Sequence, residues 1–119
     1  PAAAEALAAA ITRHLRYRRL WLVMGMADDK DAEGFAAALA HLSPAVITTA
    51  AATPRAIPPA VLAARVAPWL GPAQTAPSVG EALALAAEMA ASDDLVCITG
   101  SVYVVGEAMA ALGLGEAEP

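Results

Sequence analysis

The sequence contains little cysteine, few aromatic side chains and a single lysine. Its 119 residues include one cysteine, two tryptophans, two tyrosines and one phenylalanine. The lone Cys97 excludes an internal disulfide, and an unpaired thiol is typical of the reducing cytoplasm. No apolar run reaches the roughly 18 residues of a membrane-spanning helix. We therefore expect a cytoplasmic domain with a thin core and no membrane association.

Several functional motifs are also missing. The chain has no G-x-x-x-x-G-K-[ST] phosphate loop, no G-x-G-x-x-G run, no Cys/His metal spacing and no Ser-His-Asp candidate set. Its net charge of −5 argues against nucleic-acid binding. Residues 1–19 do carry four arginines against one glutamate, which we assign to cations at a helix C-terminus. The chain is therefore not expected to be a complete enzyme.

Alanine is the most abundant residue, with 34 of the 119 positions. The hydrophobic fraction of 59% is high enough for a folded core, and the length suits one domain. Many of these hydrophobic residues are alanines with small side chains, however, which predicts helices that pack closely on a sheet.

The spacing of apolar residues predicts helices that alternate with short strands. Helices are expected over residues 2–15, 31–42, 58–69 and 78–91, and strands over residues 20–26, 45–49, 74–76 and 94–99. Residues 101–112 are ambiguous, because their valines favour a strand and their alanines a helix. Apolar strands separated by amphipathic helices are typical of βαβ units. The predicted fold class is α/β: a single Rossmann-like domain with a mainly parallel sheet and helices on both faces.

Ligands of such sheets bind beyond the carboxyl ends of the strands, which selects residues 26–34, 50–57 and 99–106. In the first segment Lys30, the only lysine, lies among four carboxylates and could neutralise a carboxylate or phosphoryl group. Asp29 and Asp31 are secondary candidates, although Asp31 equally suits the N-cap of the next helix. These acids would form a metal site only if the loop folded back, and we expect no metal there.

The other two segments each offer one candidate feature. Arg55 lies between prolines and could bind a carboxylate through two nitrogens, or could simply be solvated. Gly100 and Ser101 follow the most strongly predicted strand. If Ser101 begins a helix, the free N–H groups there would suit an anion; the alternative is a plain N-cap.

Three stretches of the chain share an order and a set of motifs with a known family. They read LVMGMADDKDAEGFAAAL (residues 22–39), TPRAIPPAVLAA (residues 53–64) and DDLVCITGSVYVVGEA (residues 93–108). They contain a strand that ends in Gly-Met, an Asp-Lys-Asp turn, a Pro-Arg-Ala loop and a Thr-Gly-Ser followed by Val-Gly-Glu. This combination resembles the C-terminal domain of the folylpolyglutamate synthase/dihydrofolate synthase family, within the Mur ligase superfamily.

The resemblance implies an activity for a longer protein. Members of the family use ATP and Mg to activate a dihydropteroate or folate carboxylate as an acyl phosphate, which the amine of L-glutamate attacks. On this basis residues 1–119 are a Mur ligase-type C-terminal domain whose N-terminal and central ATPase parts are absent. Pro1 would be the last residue of the family's D-x-A-H-N-P motif. We expect the isolated domain to be inactive and monomeric, with ATP and Mg bound mostly by its missing partner domain.

The resemblance also implies roles for the candidate residues, none of them catalytic. Lys30 corresponds to the lysine of the Asp-Lys-Asp turn, expected near the glutamate carboxylate or the acyl phosphate. Arg55 corresponds to the arginine of the Mur ligases' D-N-P-R motif, with Ala52-Thr53 replacing Asp-Asn. Gly100 and Ser101 correspond to the loop that contacts the carboxylate of the amino acid.

Two alternative functions stay open. The chain could be a stand-alone α/β module that binds a small anion at the same sheet edge. It could also be the C-terminal domain of a cell-wall Mur ligase, although Thr53-Pro54-Arg55 in place of Asp-Asn-Pro-Arg argues against that reading.

Overall fold

The computed structural model describes residues 2–14, 16–100 and 102–113, in which helices and strands alternate. The α-helices are α1 (Ala2–His14), α2 (Ala32–Leu39), α3 (Pro59–Leu70), α4 (Val79–Met89) and α5 (Val102–Ala111). The strands are β1 (Leu20–Gly25), β2 (Ala45–Thr48), β3 (Gln74–Thr75) and β4 (Leu95–Gly100). A short 3₁₀-helix, Ala40–Leu42, continues α2.

The four strands form one parallel sheet in the order β3-β2-β1-β4. The chain builds outward from β1 through β2 to β3 and then crosses back, so that β4 pairs with the other side of β1. This order is that of the first four strands of the Rossmann fold, and its switch point lies between β1 and β4. The predicted fold class is confirmed.

Helices cover both faces of the sheet, and β1 is buried along its whole length. Its Leu22 and Met24 pack in one apolar cluster with residues of α1, α2 and α3. Its Trp21 and Val23 pack on the opposite face with residues of α4. Because successive side chains of a strand alternate between faces, a strand covered on both sides must be apolar throughout, as β1 is.

The ambiguous residues 101–112 provide a helix, α5, over their described part. Val104 and Ala108, one helical turn apart, are both buried against Ala51 and Val79. This four-residue spacing explains why tertiary packing overrides the strand preference of the valines. The helix predicted over residues 31–42 is α-helical only to Leu39.

The carboxyl ends of β1 and β4 approach each other closely through two glycines. Gly25 pairs with Gly100, whose φ of 139° lies in a region that L side chains rarely adopt. A Cβ on Gly100 would overlap the carbonyl oxygen of Gly25. A Cβ on Gly25 would lie 2.8 Å from the carbonyl oxygen of Thr49. The three strands that lead into the candidate loops can therefore end side by side only with glycine at these positions.

The opposite end of the sheet is closed by a polar cluster around Asp94. Its inaccessible carboxylate accepts hydrogen bonds from Trp21 Nε1 (2.9 Å), the Ala91 N–H (2.8 Å) and Arg18 Nη2 (3.0 Å). Burial acts to raise the pKa of Asp94, but these hydrogen bonds outweigh it and the pKa is lowered. The guanidinium of Arg19 lies 5.0 Å from the centre of the Trp21 ring, so cations flank the cluster.

An ion pair joins the neighbouring helices α2 and α3. Glu33 accepts from Arg65 through both carboxylate oxygens, at 2.8 and 2.9 Å. The side-chain hydrogen bond from Arg65 lowers the pKa of Glu33 from 4.5 to about 2.

No helix among the described residues is long and apolar enough to cross a membrane.

Replacing the Glu33 carboxylate should change how stability depends on pH. The folded-state pKa of about 2 lies below the ordinary 4.5, so the unfolded chain binds more protons between these values. The ion pair thus stabilises the fold fully above about pH 4.5, and this contribution is lost as the pH falls towards 2. Glu33→Gln should melt below the wild type at pH 6, and the two melting temperatures should converge by about pH 2. The control is Glu88→Gln on the exposed face of α4; a gap that persists undiminished to pH 2 would contradict the assignment.

A methyl group at Gly100 should strongly destabilise the domain. Gly100→Ala combines an unfavourable positive φ with overlap on Gly25, for a cost of at least about 2 kcal/mol. Thermal denaturation should show a melting temperature lower by roughly 8 °C or more. The matched control is Gly106→Ala in α5, where a Cβ meets no atom within 4 Å. That change should stabilise the helix by up to about 1 kcal/mol, and equal effects of the two variants would refute the packing argument.

Candidate functional site

The loops that follow β1, β2 and β4 converge on one cavity of about 810 Å³ at the carboxyl edge of the sheet. We call residues 26–31 the first loop, residues 50–57 the second loop and residues 99–104 the β4–α5 junction. All three contribute lining residues, among them Lys30, Arg55 and Gly100. The cavity therefore lies where the strand order predicts a ligand site, beside the switch point between β1 and β4.

Local hydrogen bonds fix the first loop. The N–H of Lys30 donates to the carbonyl of Ala27 at 3.1 Å, and the backbone carbonyl of Lys30 accepts from the N–H of Ala32 at 3.1 Å. The Asp31 carboxylate accepts from the N–H of Gly34 at 2.9 Å and so caps α2. Asp31 thus has the capping role that its position allowed, and its carboxylate satisfies a free N–H of the first helical turn.

Backbone pairing joins the second loop to the first. Ala27 and Ala56 form an antiparallel bridge. The N–H of Asp28 donates to the carbonyl of Arg55 at 2.8 Å, and the N–H of Ile57 donates to the carbonyl of Met26 at 2.9 Å. The two loops consequently form one continuous wall of the cavity.

A side-chain ion pair strengthens this junction. Arg55 donates from Nε (3.1 Å) and Nη2 (3.0 Å) to Asp28 Oδ1, and its Nη2 lies 3.7 Å from Asp29 Oδ2. The hydrogen bond with Asp28 raises the pKa of the Arg55 guanidinium, so the side chain stays cationic at any pH where the domain is folded. The side chains of Arg55, Asp28 and Asp29 are all more than half exposed. Their ion pairs therefore orient the Arg55 side chain but contribute little to the stability of the fold.

Lys30 differs from Arg55, because its ammonium group forms no ion pair with the residues that the structure describes. Its side chain is exposed on the cavity rim, beside carboxylates that are already engaged by Arg55 or by the α2 cap. The site thus holds one cation whose charge is balanced within the wall and one that is available to an anion.

The β4–α5 junction forms the opposite wall. Gly100, the exposed ring of Tyr103 and the buried Val104 line the cavity there. The predicted site residue Ser101 lies outside the described residues. One turn further along α5, Glu107 Oε2 accepts a hydrogen bond from the N–H of Ala52 in the second loop at 2.8 Å.

The acidic side chains of the described chain do not assemble a metal site. No three His, Cys, Asp or Glu residues within the described ranges could hold an ion together. Asp28 and Asp29 face Arg55, and Asp31 faces a backbone N–H, so one oxygen of each carboxylate already has a partner. The described residues therefore do not by themselves provide a site for the Mg implied by the family resemblance, and the sequence contains no phosphate loop for a nucleotide.

Sequence reasoning selected Lys30, Arg55, Asp29 and Gly100, and these residues do meet at one cavity. It missed Asp28 as the main partner of Arg55, Tyr103 as part of the opposite wall, and Glu107 as the partner of the second loop. No local pattern signals Glu107, because its partner, the Ala52 N–H, lies 55 residues away in the chain.

Comparisons with solved structures place the whole chain alongside part of larger proteins. It is 30% identical to a folylpolyglutamate synthase of Mycobacterium tuberculosis complexed with ADP and AMPPCP, with a TM-score of 0.85 over 100% of this chain and 28% of that one. It is 27% identical to E. coli FolC in complex with ADP, with a TM-score of 0.85 over 95% of this chain and 26% of that one. A bifunctional folylpolyglutamate synthase/dihydrofolate synthase with Mn, AMPPNP and L-glutamate bound is 28% identical, with a TM-score of 0.81 over 96% of this chain and 27% of that one.

The chain thus spans little more than a quarter of the length of these proteins. No curated protein sequence gives a significant match. Residues 1–102 match the family described as Mur ligase, glutamate ligase domain. The parallel order of the sheet, the cavity at its switch point and this match together show that the chain belongs to the Mur ligase family of glutamate ligase domains.

Proposed function

We propose that this chain is the C-terminal domain of an ATP-dependent ligase that adds L-glutamate to dihydropteroate or to folates. The domain supplies the side of the active site that binds the amino acid. The rest of the enzyme supplies the ATPase domain, over which this domain closes. ATP and Mg are held mostly by that other part, and the isolated domain is inactive, monomeric and cytoplasmic. The observation that carries the proposal is the cavity at the carboxyl edge, with the unpaired Lys30 on its rim and Arg55 in its wall.

The charges of the cavity suit an amino acid with two carboxylates. Lys30 offers a free ammonium group, and Arg55 is held by Asp28 through Nε and Nη2, which leaves Nη1 without an ion pair among the described groups. We assign the binding of glutamate carboxylates to these two cations. Gly100 lines the opposite wall, and we extend the proposal to the next residue in the sequence, Ser101, as a contact for the carboxylate of the amino acid. Asp29 and Asp31 act indirectly by orienting Arg55 and beginning α2.

In the proposed reaction the amine of glutamate attacks the carbonyl carbon of an acyl phosphate of the pteroate or folate. The amide C–N bond forms, the C–O bond to phosphate breaks, phosphate leaves and the amine proton passes to solvent. The residues of this chain bind and orient the nucleophile in that step. None of them takes or gives the proton.

The direct test is an NMR titration of the 119-residue chain with L-glutamate, followed by a ligase assay after the chain is joined to the N-terminal and central ATPase domains. We expect amide shifts centred on Lys30, Arg55 and Gly100, and glutamate-dependent ADP release only in the joined protein. Shifts without activity after correct assembly would favour a stand-alone anion-binding module. Activity with a different amino acid would favour a cell-wall ligase.

Loss of the Lys30 ammonium should weaken glutamate use without weakening the fold. In the assembled ligase Lys30→Ala should lower kcat/KM for glutamate by about 10- to 100-fold, which is typical for the loss of a charged hydrogen bond. The melting temperature should change little, because the side chain is exposed. Arg16→Ala, an exposed cation far from the cavity, is the matched control. A lower melting temperature with normal kinetics would reverse the assignment.

Arg55 could bind a ligand carboxylate, or it could only join the second loop to the first through Asp28. Comparing Arg55→Ala with Asp28→Asn should distinguish these two roles. If Arg55 binds a carboxylate, Arg55→Ala should raise the KM for glutamate about tenfold, whereas Asp28→Asn frees the guanidinium and should change the KM less than threefold. Steady-state kinetics of both variants provide the measurement. Equal increases in KM would indicate that Arg55 serves only to join the two loops.

A further inference from the structure

Glu107 lies outside the cavity but holds part of its wall. It is in α5, one turn after Val104, and its side chain is partly buried beside the second loop. Its carboxylate oxygen Oε2 accepts from the N–H of Ala52 at 2.8 Å.

The second loop is fastened at both of its ends. At its start, Ala51 is buried against Val104 and Ala108 of α5, and the next residue donates to Glu107. At its end, residues 55–57 pair with the first loop through the backbone contacts described above. Between these anchors a turn is closed by the Thr53 N–H to the carbonyl of Ala51 at 2.8 Å. The loop therefore bridges α5 and the first loop.

The start of this bridge has one polar anchor among the described contacts. The packing of Ala51 is apolar and fixes distance more than orientation, since it involves one small side chain. The hydrogen bond to Glu107 is directional, and its acceptor is a carboxylate oxygen, which forms a stronger hydrogen bond than a neutral acceptor. This contact therefore orients Ala52, at the start of the stretch that leads to Arg55.

We propose that Glu107 is a positioning residue for glutamate binding: it holds the second loop against α5 so that Arg55 faces the cavity. This inference rests on the proposed function of the cavity. Glu107 does not line the cavity itself, so its effect on the ligand passes through the loop.

An electrostatic role would give a different result from a positioning role. Glu107 places a negative charge near a cavity that is proposed to bind carboxylates, so its charge alone would oppose the ligand. Glu107→Gln removes the charge but keeps an oxygen that can accept from Ala52. Glu107→Ala removes both. Positioning thus predicts that the two variants differ, with the glutamine variant close to the wild type.

The experiment measures two quantities in the wild type, Glu107→Ala, Glu107→Gln and the control Glu88→Ala, which changes an exposed glutamate of α4. Hydrogen exchange of the Ala52 amide in the 119-residue chain reports on the contact itself. The KM and kcat for glutamate in the assembled ligase report on its use. We expect Glu107→Ala to accelerate exchange and raise the KM about fivefold with little change in kcat, and Glu107→Gln to stay within twofold of the wild type.

The outcomes separate this inference from the proposed function. If the wild type does not use glutamate, the proposed function fails, whatever the exchange data show. If the wild type does use it and Glu107→Ala leaves the KM unchanged, the positioning role is wrong. Equal changes in KM for the alanine and glutamine variants, in either direction, would also overturn it, because the two variants share the loss of the charge and only the alanine variant loses the hydrogen bond.

Discussion

The whole arrangement depends on β1, which is buried on both faces and paired in parallel with β2 and β4. Because all its neighbours run in the same direction, the chain leaves every strand at the same edge. The first and second loops and the β4–α5 junction must therefore meet there. The close contact of Gly25 with Gly100 and Thr49 brings the three strand ends near enough for their loops to share one cavity.

Most of this architecture could be predicted from the sequence, because it depends on local patterns. The apolar run at residues 20–26 and the βαβ alternation indicated a parallel sheet, and the rule for strand ends then selected the three loops. The exception was residues 101–112, whose valines prefer a strand. The packing of Val104 and Ala108 on Ala51 favours the helix Val102–Ala111, and that contact lies between segments distant in the chain.

The same limit applies to the site. Sequence position could place Lys30, Arg55 and Gly100 at one edge, but it could not show what each side chain contacts. Arg55 pairs with an aspartate 27 residues away, and Glu107 pairs with a backbone N–H 55 residues away. Such pairings depend on rotamers and loop paths that no local pattern encodes. They decide which cation is free, and Lys30 differs from Arg55 for that reason alone.

The assembly of the cavity from three distant segments has a thermodynamic consequence. No continuous piece of the chain contains the wall, so an unfolded or partly folded chain presents no binding site. A ligand of the cavity therefore binds the native state alone and shifts the folding equilibrium towards it by mass action. Occupancy of this one edge therefore stabilises the entire sheet, including the Asp94 cluster at its opposite end, which does not line the cavity.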